Sequence, residues 1–177
     1  MDKGDEMTRS HPVGARFDLT DHHGNHVTNA SYRGRYPLVF FGFTHCAVVC
    51  PRALGKLSAA LAQLGESGDQ LVPLYITVDP ERDNPDRMKQ FLEADYPRFT
   101  GLTGTPDQLE AARREFRVFA VRKEDPNAEV GYQVPHSAIT YLLDRQGEYL
   151  THFTDTTEAD ELARRLSEVL KTDRVST

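Results

Sequence analysis

The chain has 177 residues, 38% of them hydrophobic, with 12 glycines and a formal charge of −6 from 21 Lys/Arg and 27 Asp/Glu. That length suits one domain able to bury a normal core, and the acidic balance, with no Lys/Arg run longer than a pair, argues against a phosphate-binding surface. No apolar stretch approaches the roughly 18 residues of a membrane span, and the polar start MDKGDEMTRSHPVG lacks the apolar core of a signal peptide.

Residues 1–13 read as a tail. Phe17 to Thr28, FDLTDHHGNHVT, reads as two short strands around a turn at Gly24. Leu38 to Phe41 is a continuous apolar run of strand length, as expected for a central strand covered on both faces. Leu54, Leu57, Leu61 and Leu64 then recur at helical spacing, with Pro51 suited to a first turn and Gly65 to Gly68 ending the helix. Leu71 to Asp79 predicts a second buried strand, and DPERDNP the loop after it. Helices are expected over Pro85 to Asp95 and, behind a Thr105 cap, over Thr105 to Phe116. Strands follow over Phe116 to Arg122, Ser137 to Asp144 and Glu148 to Phe153, the last two joined by a turn at RQG. Thr157 to Lys171 closes the domain as an amphipathic helix that turns Leu162, Leu166, Val169 and Leu170 inward, leaving 172–177 as a second tail. A βαβ half followed by a ββα half is the thioredoxin arrangement with added elements. The expected fold is α/β, a central mixed sheet flanked by helices, with an N-terminal hairpin and insertions over 14–171.

The two cysteines, Cys46 and Cys50, are the only ones in the chain, and they fall at the junction of a buried strand and a helix. In open α/β sheets the edge beyond the carboxyl ends of the strands is where sites are built. Residues four apart on a helical turn share a face, and the free N–H groups of a helix start favour negative charge and so a larger thiolate fraction. Thiolate is both a redox nucleophile and a metal ligand. Three residues separate the pair, where dedicated thioredoxin-like oxidoreductases use two. The longer loop can close a disulfide or present two sulfurs to one ion. Structural zinc needs four N/S ligands, whereas Cu(I) accepts thiolates at two or three positions. Two inert buried cysteines are the plain alternative, set against their joint position at one junction.

A third donor is expected from a segment that folds back onto this edge. His136, just before the expected strand Ser137 to Asp144, is the candidate; His45 competes, although neighbours on a turn point apart. Asp79, after the second buried strand, either supports a ligand by a hydrogen bond or caps its own turn. His22, His23 and His26 form a turn cluster that reads as solvated, with a weak metal site as the alternative, while His11 and His152 read as incidental. Phe40, Phe41 and Phe43 read as core and site wall.

With these pieces in order, FGFTHC…CP (Phe41 to Pro51), VDPERDNP (Val78 to Pro85), GLTGT (Gly101 to Thr105) and HSAITYLLDRQG (His136 to Gly147), the chain resembles the Sco/SenC copper-binding proteins of cytochrome c oxidase assembly. The resemblance covers roughly 14–171 and implies a thioredoxin fold that binds Cu(I) or Cu(II) through Cys46, Cys50 and His136. It further implies delivery of copper, or of reducing equivalents, to the binuclear copper (CuA) centre of the oxidase. Implied too are a monomer, contact with the copper-site subunit and other copper chaperones, a membrane anchor beyond this sequence, and a place on the periplasmic side of the bacterial inner membrane or in the mitochondrial intermembrane space. Two departures stand out: Ala47-Val48-Val49 replaces the frequent Pro-Asp-Val, and Pro135 replaces the Asp usual before the histidine. Three other readings stand beside the metallochaperone. One is a thiol-disulfide oxidoreductase using Cys46 and Cys50 as a redox pair; another is a copper or redox sensor. A peroxiredoxin-like peroxidase is the weakest, because Phe43 stands where that chemistry needs Thr.

Overall fold

Seven consecutive buried residues, Tyr36–Gly42, form strand β3 at the middle of the molecule, and Leu71–Thr77, equally buried, forms β4 beside it. The computed structural model describes residues 14–42, 49–81, 83–118, 123–124, 132–133, 139–154 and 156–175. The other strands are β1 (Asp18–Asp21), β2 (His26–Thr28), β5 (Thr100–Thr103), β6 (Lys123–Glu124), β7 (Tyr132–Gln133), β8 (Ile139–Leu143) and β9 (Tyr149–Thr154). Among the described residues four α-helices accompany them: α1 (Val49–Leu64), α2 (Pro85–Asp95), α3 (Pro106–Phe116) and α4 (Ala159–Val175). Seven strands make one sheet in the order β2-β1-β5-β4-β3-β8-β9, and β6 and β7 pair separately. The β3, β4 and β5 strands run parallel, while β8, β9, β1 and β2 join antiparallel, so the sheet is mixed as expected.

Alternation along the strands divides the core. Tyr36, Leu38 and Phe40 face one side with Leu54, Leu57 and Leu61 of α1, Met88 and Leu92 of α2, and Leu162 and Leu166 of α4. Val39 and Phe41 face the other side with Leu109, Ala112 and Phe116 of α3 and Leu19 and Val27 of the hairpin. Both faces of the central strands are covered, which explains the unbroken apolar runs where a one-sided strand would alternate. Each such fully buried large side chain contributes about 1.5–3 kcal/mol.

Two helix starts are capped, the one at Thr105 as expected. Asn84 Oδ1 accepts from the Arg87 N–H at 2.8 Å ahead of Pro85. Thr105 Oγ1 accepts from the Gln108 N–H at 3.1 Å while Gln108 Oε1 accepts from the Thr105 N–H at 2.9 Å, a reciprocal capping box. The elements depart from expectation at several points. β5 is a strand that periodicity did not indicate. The expected strand Phe116 to Arg122 instead opens as the last residue of α3 and a left-handed cap at Arg117 (φ 59°), with 119–122 outside the described residues. Helix α4 ends at Val175 rather than Lys171.

Candidate metal centre

Helix α1 begins at Val49, so Cys50 stands in its first turn beyond the carboxyl end of β3. Phe40 of β3 pairs with Thr140 of β8, so the end of β3 at Gly42 and the start of β8 at Ile139 share one edge of the sheet. The residues just beyond these two points in the chain include Cys46 and His136. Cys46, His136, His45, Phe43, Ala47, Val48 and Pro135 lie outside the described residues, as do the side chain of Cys50 and His11.

The same edge carries a buried polar network. The N–H of Val78 donates to the Gly42 carbonyl at 2.8 Å, fastening the exit of β4 to the end of β3. Thr77 Oγ1 donates to Asp83 Oδ2 at 2.8 Å and accepts from the Asp79 N–H at 2.9 Å. The Asp83 N–H donates back to the Asp79 carbonyl at 2.9 Å, and Thr103 Oγ1 donates to the Asp83 carbonyl at 3.2 Å. Thr77, Asp79, Asp83 and Thr103 are all buried, Asp83 completely. Polar groups this deep are tolerated only when hydrogen-bonded, so the closed network fixes the loop that follows β4. The Asp79 carbonyl closes the turn that follows β4. Thr77, Asp83 and Thr103 were not singled out in the sequence; the sole signal was the second Asp of DPERD.

The remaining histidines separate. His26 Nε2 bonds the Asp18 carboxylate across the β1–β2 pair, both exposed. His152 is exposed, its Nδ1 2.6 Å from the Tyr149 hydroxyl. His22 is buried and His23 exposed, so the three turn histidines are not one solvated cluster. Phe40 and Phe41 are core, as expected, Phe41 making an edge contact with Phe116 at 5.3 Å. Among the described residues no helix is long and apolar enough to cross a membrane.

A mixed sheet flanked by helices, a hairpin on one edge and a C-x3-C segment leading from the central strand into α1 define a thioredoxin-like domain. More narrowly, the chain belongs to the SCO1/SenC family, whose family model matches residues 5–171, a family of copper-binding proteins related to cytochrome c oxidase assembly. It is 38% identical over 157 residues to protein sco1 of Schizosaccharomyces pombe, covering 87% of this chain and 59% of that protein. It is 35% identical over 150 residues to a SCO2-like protein of Rickettsia prowazekii, covering 85% of this chain and 73% of that one. Among solved structures, Bradyrhizobium japonicum ScoI with copper bound superposes with a TM-score of 0.79 at 36% identity, covering 88% of this chain and 98% of that one.

Proposed function

We propose that this domain is a copper metallochaperone that holds copper as cargo between the Cys46 and Cys50 thiolates and the His136 imidazole. It assists assembly of the binuclear CuA centre of cytochrome c oxidase and has no turnover of its own. The observation that carries the reading is the likeness to a copper-bound ScoI over nearly the whole of that structure. The β3–β8 pairing adds support, because the chain leading to Cys46 and the chain leading from His136 start at neighbouring strand ends. Two thiolates and an imidazole suit Cu(I) in trigonal geometry; Cu(II) takes a further oxygen donor. Ligand protonation weakens binding in acid, and oxidation of the pair to a disulfide releases the metal. The domain acts on the periplasmic face of a bacterial membrane, where the copper-site subunit is the partner.

The test is transfer. Copper-loaded protein is mixed with the metal-free soluble copper domain of an oxidase, and the CuA absorption is followed. Growth of that spectrum with equivalent loss of copper from this protein supports the chaperone. Reduction of the partner's cysteines by copper-free protein, with no copper transfer from the loaded form, contradicts it and identifies a thiol-disulfide reductase.

A further inference from the structure

The turn after β1 brings three potential metal donors together. His22, His23 and, from α2, Glu93 each offer an atom within 4.8 Å of the other two, and the two imidazole rings lie 4.2 Å apart at 53°. As a donor set this suits a divalent zinc or copper ion. One hydrogen bond decides against it. The Gly101 N–H donates to His22 Nδ1 at 2.8 Å inside the protein. Nδ1 therefore presents a lone pair, and the neutral ring carries its single proton on Nε2. A metal-binding histidine is arranged the other way, with one lone pair on the ion and the other nitrogen donating N–H to an acceptor. His22 has no lone pair left to give. Turning the ring over puts carbon where Nδ1 was and strands a buried amide, a costly exchange. Without His22, only the exposed His23 and Glu93 remain, too few for a site.

We propose that His22 is instead a proton-operated latch: neutral, it ties the turn after β1 to β5 through Gly101, and protonated it lets go. Protonation adds one proton from solvent to Nδ1, both ring nitrogens become donors, and the bond to the Gly101 N–H is replaced by two N–H groups facing each other.

Charged groups reach His22 from two elements. His23 and Asp21 share its turn, and Glu93 and Lys89 project from α2. Asp21 is already occupied, its carboxylate accepting from the amides of His23 and Asn25, each at 2.9 Å. Burial acts most strongly and opposes the charged ring; His23 and Lys89 oppose it too, Asp21 and Glu93 favour it, and the balance holds His22 below its usual 6.5. The sign follows. The unfolded chain takes the proton first, so the latch contributes its full stability above about pH 6.5 and loses it as pH falls toward the lower folded value.

The latch acts on a crowded strand. A Cβ at Gly101 would stand 2.9 Å from both Leu92 Cδ1 and Met88 Cε of α2. Two residues on, Thr103 holds the Asp83 carbonyl in the loop network. Release at Gly101 thus loosens a four-residue strand whose other end belongs to the candidate metal edge.

The test is NMR on the full chain. The 15N shifts of the His22 ring report which nitrogen bears the proton, and amide exchange gives protection at Gly101 and, as a core control, at Phe40. The expected result is the Nε2–H tautomer at pH 8. Gly101 protection should fall by up to roughly tenfold per unit of pH between about 6.5 and the His22 midpoint and level off below it, while Phe40 keeps its own. His22→Asn, whose side-chain oxygen can accept in place of Nδ1 without titrating, should remove the pH dependence, and excess zinc should leave the His22 ring shifts unmoved. A proton on Nδ1 at pH 8, zinc-induced shifts of the His22 ring, or parallel loss at Gly101 and Phe40 would each overturn the latch. The tautomer and zinc measurements use the wild-type chain alone, so a poorly folding variant does not remove the test.

Discussion

The hydroxyl of Thr77, the last residue of β4, donates to the carboxyl of Asp83 at 2.8 Å with both side chains completely buried. Five residues of loop separate them, and the bond closes that loop against the sheet edge from which the cysteine segment also leaves. The Thr77 oxygen simultaneously accepts the Asp79 N–H, so one hydroxyl joins the end of β4 to both aspartates of DPERD.

Removing the carboxyl should therefore cost more than a surface change. For Asp83→Ala we predict a loss of about 2–3 kcal/mol, since a buried hydroxyl loses its acceptor and the network opens. Urea unfolding of the two proteins checks this. A loss below about 0.5 kcal/mol would show that water or a rearranged loop replaces the carboxyl.

Thr105 offers a local test of helix capping. Thr105→Ala removes the acceptor for the Gln108 N–H and should destabilise by about 1 kcal/mol, lowering the melting midpoint by about 2–4 °C for a chain of this size. Asn at the same position should restore most of it; an Asn variant as unstable as Ala would contradict the cap.

Alkaline titration probes two phenols, the half-buried Tyr32 and the buried Tyr141. Burial, and secondarily Asp21, pushes Tyr32 up to about 12, and burial, then Tyr149, pushes Tyr141 up to about 12. Unfolded tyrosine ionises near 10. The unfolded chain releases these protons first, so their contribution is whole below pH 10 and drains away as pH rises toward 12. Phenolate absorbance should show late-ionising tyrosines that Tyr32→Phe and Tyr141→Phe each reduce. Ionisation of both near pH 10 in the folded protein would refute the burial reading.

Much of the fold was legible because its signals are local. The unbroken runs of β3 and β4, the Asn84-Pro85 and Thr105-Pro106 helix starts and the inward leucines of α4 are each written within one segment. Strand β5 is not: Thr100-Gly101-Leu102-Thr103 is short and half polar. It is a strand because β4 pairs on one side (Ile76 with Leu102) and β1 on the other (Thr20 with Thr103). The expected strand over Phe116 to Arg122 fails at its start, because Phe116 is buried as the last residue of α3 and Arg117 is left-handed. At the candidate site, the cysteine pair announces itself by spacing. The Thr103–Asp83 contact spans 20 residues, and no periodicity links a threonine hydroxyl to a carbonyl at that distance. His22 shows the same limit: in the sequence it is one of three turn histidines, and only folding decides that it alone is buried.

The departures in the cysteine segment carry a further prediction. In the proposed copper site, Val48 and Pro135 bring no negative charge that would favour Cu(II) over Cu(I). The double substitution Val48→Asp, Pro135→Asp should lower the copper reduction potential. A tenfold change in the oxidation-state preference is about 59 mV for one electron, and a shift of that order is expected by redox titration. An unchanged potential would show that these positions do not act on the metal.

Anaerobic competition for Cu(I) tests the proposed three-ligand copper site most directly. Reduced protein competes with a chromophoric chelator, wild type beside His136→Ala, with the circular dichroism of both compared to establish equal folding. One tightly held copper per chain is expected, with binding weakened at least about tenfold by the substitution. Weak binding by the wild type, or an affinity indifferent to His136, would contradict it.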